Sequence, residues 1–105
     1  MNRLEYLLQL HQEQPEDPFL LYGIALEYQK SESPETSSVF DQLLTTFPSY
    51  LPTYYQAAAY FSEGGLHEKA LTIYTIGIEL AQQQNELKTL AELKNAKQNL
   101  EIDLM

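Results

Sequence analysis

The chain has 105 residues, of which 44% are hydrophobic and none is cysteine. That length allows one domain with a limited core, and the missing cysteines exclude a disulfide framework and thiolate metal sites, as fits a reducing, cytoplasmic setting. The net charge is −9, with 15 acidic residues scattered among 6 basic ones. Arg3, Lys30, Lys69, Lys88, Lys94 and Lys97 make no basic face, and Glu86, Glu92 and Glu101 interrupt the one grouping among them, so nucleic acid is not expected as a partner.

Helical periodicity dominates from the first residues. Leu4, Leu7, Leu8 and Leu10 form an apolar stripe that ends before Pro15. Glu5, Gln9 and His11 interrupt it, which makes it too polar and too short for a signal-peptide core, and no later stretch reaches membrane-spanning length. Phe19, Leu21, Tyr22, Ala25, Leu26 and Tyr28 form a second stripe, closed by "QKSESPE". Ser33-Pro34 then reads as a helix start, with serine at the cap and proline in the first turn. Val39, Phe40, Leu43, Leu44 and Phe47 carry that helix to Pro48. Tyr54 to Phe61 form the next helix, ended by Gly64-Gly65 because glycine readily takes the left-handed conformation that closes a helix. His67 to about Gln83 form its partner. Leu87, Leu90, Ala91, Leu93, Ala96, Leu100 and Leu104 mark a sixth helix, and no stretch alternates as a strand would.

The helices repeat. Pro15 and Pro48 lie 33 residues apart, and Leu7, Leu10, Tyr22, Ala25 and Tyr28 align at that offset with Phe40, Leu43, Tyr55, Ala58 and Phe61. Beyond the inter-helix turn the offset is 34, pairing Thr36 with Ala70, Phe40 with Tyr74 and Leu44 with Ile78. One residue is therefore missing from the first turn, where a slip leaves both helical faces in register.

Two helices per repeat of this length, with Tyr54, Ala57, Ala58, Phe61, Gly65, Ala70, Tyr74 and Gly77 in place, resemble the tetratricopeptide repeat family. The earlier copy matches through Leu21, Ile24, Ala25, Tyr28, Phe40, Leu43 and Pro48, and departs at Thr36, where the family prefers alanine, and in lacking a turn glycine. The resemblance implies an all-α superhelix of antiparallel helix hairpins, about six helices in one domain over 1–105. Within it, 3–15 is a partial repeat, 18–48 a first repeat, 51–83 a second and 86–104 a capping helix. Such hairpins cross at roughly 8 Å, where only small side chains fit. Ala58 and Ala70 are expected at that crossing, with Tyr54, Phe61 and Tyr74 filling the wider gaps and Gly77 admitting the first helix of a following unit.

The residues that would carry catalysis are missing. His67-Glu68 is followed by Leu71 where a second metal ligand would stand, and His11 lies in another predicted helix pair. There is neither a phosphate-binding glycine loop nor a nucleophile elbow, and Glu16-Asp17, Glu32 and Glu35 sit where acids complement helix N-termini. No enzyme activity, metal or cofactor is expected, and His11 and His67 read as surface residues.

In the family the first helices of successive hairpins line a concave face that binds peptides or helices. Helical spacing assigns to that side Phe19, Tyr22, Leu26, Gln29 and Lys30, then Tyr55, Ala59, Ser62 and Glu63, with Lys88, Glu92 and Asn95 from the last helix. Some members grip a chaperone's C-terminal carboxylate with lysine and asparagine, but Leu26 and Ala59 stand where asparagine would be wanted. The expectation is a non-catalytic interaction module for an apolar or amphipathic protein segment. Its alternative is a homodimer formed through that face or through Leu100, Ile102, Leu104 and Met105.

Overall fold

The computed structural model describes residues 1–105 as six α-helices and no strand. They are α1 (Arg3–Glu13), α2 (Pro18–Lys30), α3 (Glu35–Thr46), α4 (Pro52–Glu63), α5 (His67–Gln83) and α6 (Leu87–Asp103). The expected all-α class and number of helices are therefore both present. The chain forms two compact units, Met1–Tyr50 and Leu51–Met105. In the first, α2 packs against both α1 and α3; in the second, α5 packs against both α4 and α6, and α6 also touches α4.

Local chemistry sets the helix starts. Asn2 caps α1 by accepting the Glu5 N–H at 2.8 Å, and Asp17 caps α2 by accepting the Phe19 N–H at 3.0 Å, with Pro18 in the first turn. At α3 the Ser33 hydroxyl accepts the Glu35 N–H at 3.1 Å, and Pro34 follows with φ −65°.

One turn design recurs at three helix ends. After α4, the Leu66 N–H donates to the Phe61 carbonyl at 2.9 Å and the Gly65 N–H to the Ser62 carbonyl at 3.0 Å, with Gly65 at φ 87°. After α2, the N–H groups of Ser33 and Glu32 donate in the same way to Tyr28 and Gln29, at 2.9 and 3.1 Å. After α5, those of Glu86 and Asn85 donate to Ala81 and Gln82, at 2.9 and 3.2 Å. The left-handed position thus belongs to Gly65, Asn85 (φ 57°) and Glu32 (φ 56°). The missing turn glycine is replaced by a glutamate that bears the steric cost.

The one-residue slip lies immediately after this turn. In the second repeat the Ala70 N–H donates four residues back, to Leu66 at 3.0 Å; in the first the Thr36 N–H donates three residues back, to Ser33 at 3.2 Å. A tighter first turn of α3 absorbs the shorter loop. Thr36, standing where the repeat has alanine, is fully buried, and its hydroxyl is satisfied by the Ser33 carbonyl at 2.8 Å.

The small residues of the second unit form a packing seam. Ala57, Ala58 and Ala70 are completely buried, flanked by buried Tyr54, Phe61 and Tyr74. Gly77 meets the expected helix and a second neighbour besides. A Cβ there would lie 2.7 Å from Cβ of Tyr54 and 3.3 Å from Cδ1 of Leu93, so the glycine first seats Tyr54 of its own hairpin and then receives α6. Tyr28 also differs from its counterpart Phe61, being half-buried where Phe61 is in the core.

Two substitutions test these contacts by urea or thermal unfolding. Gly77→Ala should destabilise the fold by about 1–3 kcal/mol through overpacking against the backbone-proximal atoms of Tyr54. Glu32→Gly should stabilise it by about 1 kcal/mol by relieving the left-handed conformation.

Candidate functional site

The residues expected to meet a partner fall on two units. On α2 of the first, Phe19 is 62% exposed, while Tyr22, Leu26 and Gln29 are half-buried and Lys30 is exposed. On α4 of the second, Tyr55 is 42% exposed, Ala59 and Ser62 are half-buried, and Glu63 is exposed; on α6, Lys88, Glu92 and Asn95 are all exposed. Helical spacing of three and four residues holds each helix's set on a common side.

Tyr22 and Tyr55, equivalent in the repeat, are both held edge-to-face by another tyrosine, but by different ones. Tyr22 meets Tyr50 with ring centroids 5.7 Å apart at 63°, and Tyr55 meets Tyr74 at 6.4 Å and 74°. Such pairs add to the burial of the rings and fix their orientation. Each ring therefore has a structural role beside any role toward a partner.

The phenols record these surroundings. Burial pushes the Tyr22 hydroxyl above its ordinary 10.0, and neighbouring Tyr50 adds to the effect. Tyr50 is raised by burial and then by the Asp17 carboxylate. In the second unit burial raises Tyr54, while burial, Tyr55 and Glu63 together raise Tyr74. Lys69 lies over the Phe61 ring, 3.9 Å from its centroid, so one of the few cations is placed on an aromatic face of the core.

Tyr50 and Asp17 were not singled out by periodicity because both lie in loops. The repeat register carries a signal nonetheless: at the 33-residue offset Tyr50 occupies the position of Asp17, so an aromatic stands where the earlier copy has a helix cap. Consistently, α4 starts without a side-chain cap. The histidines also differ from expectation: His11 and His67 are half-buried, and Nδ1 of each is buried without a hydrogen-bond partner. No group of three His, Cys, Asp or Glu side chains is placed to hold a metal ion, and no helix is long and apolar enough to cross a membrane.

The fold matches the solution structure of a tetratricopeptide repeat domain protein from Salinibacter ruber with a TM-score of 0.78 and 34% identity, over 83% of this chain and 89% of the other. The chain belongs to the tetratricopeptide repeat family. A crystal structure of a tetratricopeptide repeat domain protein from the same organism matches at TM-score 0.76 and 32% identity, over 81% of this chain and 96% of the other. No family model matches the sequence, and no curated protein does. Within the tetratricopeptide repeat pattern, Phe19, Tyr22, Leu26 and Gln29 lie on the first helix of one hairpin, and Tyr55, Ala59 and Ser62 on the first helix of the next.

The tyrosines give stability a defined pH dependence. Tyr22, Tyr50, Tyr54 and Tyr74 all have folded-state values above 10.0, so the unfolded chain loses these protons first. The stability they contribute should be fully present below pH 10 and lost as pH rises through the folded-state values. Urea unfolding at neutral pH and at steps above pH 10 should show a falling midpoint, together with delayed tyrosinate absorbance in the folded protein.

Proposed function

We propose that the protein is a non-catalytic interaction module that binds an apolar or amphipathic segment of another protein through the outward sides of α2 and α4. The observation that carries this reading is the exposure of Phe19 and Tyr55 on those helices. A large aromatic ring left in water forgoes substantial burial, and rings of this type dominate the energetics of protein interfaces. Tyr22, Leu26 and Gln29 would extend the contact on α2, and Ala59 and Ser62 would do so on α4, where a small residue leaves room for an incoming side chain. Lys88 and Asn95 on α6 supply polar groups for a rim.

Self-association is the second reading, favoured by a different observation. Leu87, Ile102, Leu104 and Met105, at the two ends of α6, are all exposed. Apolar surface on a terminal helix is suited to pairing with a second copy.

Quantitative cross-linking capture with the natural sequence and with the Phe19→Ala/Tyr55→Ala double variant tests the first reading. The helical content should be retained, and loss of the Tyr55–Tyr74 contact should lower the melting temperature by only a few degrees, so weaker capture would not reflect unfolding. Captured partners should bind the variant about thirtyfold or more weakly, from two aromatic anchors worth about 1 kcal/mol or more each. Undiminished capture would overturn the assignment of these faces. Light scattering across a range of concentrations separates the second reading, which requires a dimer of the 12.1 kDa chain that Ile102→Ser/Leu104→Ser returns to monomer.

A further inference from the structure

The first unit contains an open crevice of about 360 Å³ lined by Pro18, Thr46, Phe47, Pro48, Ser49 and Tyr50. It lies where α2 begins and α3 ends, and its walls are mainly apolar rings. Tyr22 braces the Tyr50 ring edge-on, so that wall is held in a fixed orientation. Asp17 adjoins Pro18 in the chain, and its charge reaches the Tyr50 hydroxyl, raising its pKa after burial. The Phe19 N–H donates to Oδ1 of Asp17 at 3.0 Å, which fixes the carboxylate at the start of α2.

No arginine or lysine of the unit lines this crevice. Residues 1–50 hold eight acidic side chains against Arg3 and Lys30. Arg3 is turned to Glu27, with Nε 3.5 Å from Oε2, and Lys30 closes the opposite end of α2, roughly 18 Å along the axis from Pro18 at 1.5 Å per residue. Asp17 is not in the lining but stands next to Pro18 and acts on Tyr50, so a purely apolar occupant would bring low-dielectric material toward its carboxylate with no counter-charge in exchange.

The geometry points to an arginine side chain of a protein partner as the occupant of this crevice. The inference rests on the reading of the protein as an interaction module and gives that module a chemical preference. The arginine stem lies along Pro18, Phe47 and Pro48, as long charged side chains do on apolar surface. Its guanidinium reaches Asp17 and stacks on Tyr50; being planar and weakly hydrated, it gives up less solvation there than an ammonium would. The acidic surroundings draw basic segments toward the site in preference to neutral ones.

The test is an NMR titration of the whole chain with a short capped peptide containing one arginine and with its copy carrying citrulline, a neutral group of the same shape. The arginine peptide should shift the resonances of Asp17, Phe47 and Tyr50 in a saturating manner, and the citrulline peptide should bind about tenfold more weakly. Asp17→Asn retains a residue able to cap α2 while removing the charge, and should weaken the arginine peptide about five- to tenfold without affecting the citrulline peptide. Equal binding of the two peptides, or indifference to Asp17→Asn, would overturn the proposal. So would shifts confined to Phe19, Tyr55 and Ala59 with both peptides, although these would sustain the interaction module itself. Absence of shifts with either peptide would also overturn it, leaving the module to stand or fall on the capture experiment.

Discussion

A backbone hydrogen bond that reaches back five residues, from the Leu66 N–H to the Phe61 carbonyl, is the constraint on which the hairpin architecture rests. With the Gly65 bond inside it, it ends the helix and reverses the chain within three residues, so that α5 starts beside α4. The same pair of bonds closes α2 and α5. Each demands one residue in the left-handed region, and the three copies meet that demand with Glu32, Gly65 and Asn85. Geometry is kept while chemistry varies, which is possible because the requirement concerns φ and the cost of a side chain there is only about 1–2 kcal/mol.

Reversal over so short a turn brings helices close, and closeness selects the seam residues. Ala58 and Ala70 are fully buried, and Gly77 cannot hold even a methyl group without meeting Tyr54. Small residues on one side require large ones on the other, and Tyr54, Phe61 and Tyr74 occupy that complement. Once these positions are committed to packing, the outer side of α4 is left to Tyr55, Ala59 and Ser62, and the exposed tyrosine there is steadied by Tyr74 from behind. The same residues that hold the hairpin thus decide which ring faces solvent and how firmly it is held.

Much of this was legible in the chain itself. Apolar spacing locates the helices, and the 33-residue register marks their equivalences, because both are properties of side-chain periodicity. The slip in the first turn was visible as a change of offset. Its cause was not, since a three-residue in place of a four-residue bond at Thr36 is a backbone choice that composition does not encode. The glutamate at φ 56° escaped notice for a related reason: glycine advertises a left-handed position, whereas glutamate gives no sign of one. Sequence spacing assigned Gly77 to a following helix, and Leu93 of α6 does approach it, but the closer contact with Tyr54 was hidden, because spacing shows that a residue must be small without showing which neighbour requires it most. The crevice beside Tyr50 was the least legible feature. Its lining comes from the start of one helix and the loop after another, and no periodic pattern joins them.

The two units show how a repeat diverges without altering its frame. Tyr22 and Tyr55 occupy equivalent positions, yet Tyr55 leans on a tyrosine buried between helices, whereas Tyr22 leans on Tyr50, a loop residue that forms a crevice wall. Charge divides the copies further. Residues 51–105 set seven acidic side chains against four lysines, one of them placed on the Phe61 ring, while residues 1–50 set eight acids against two bases. An aromatic crevice near a carboxylate thus exists in the first unit, while the second unit, though also acidic, carries a larger share of lysines. A repeat that kept both copies identical would offer a partner the same contact twice. If the first unit takes an arginine as proposed, its crevice would ask a basic residue of a partner, whereas the aromatic face proposed on the second would ask an apolar one. Specificity of that kind comes from the difference between the copies, because a partner lacking the basic residue would bring low-dielectric material toward Asp17 without a counter-charge.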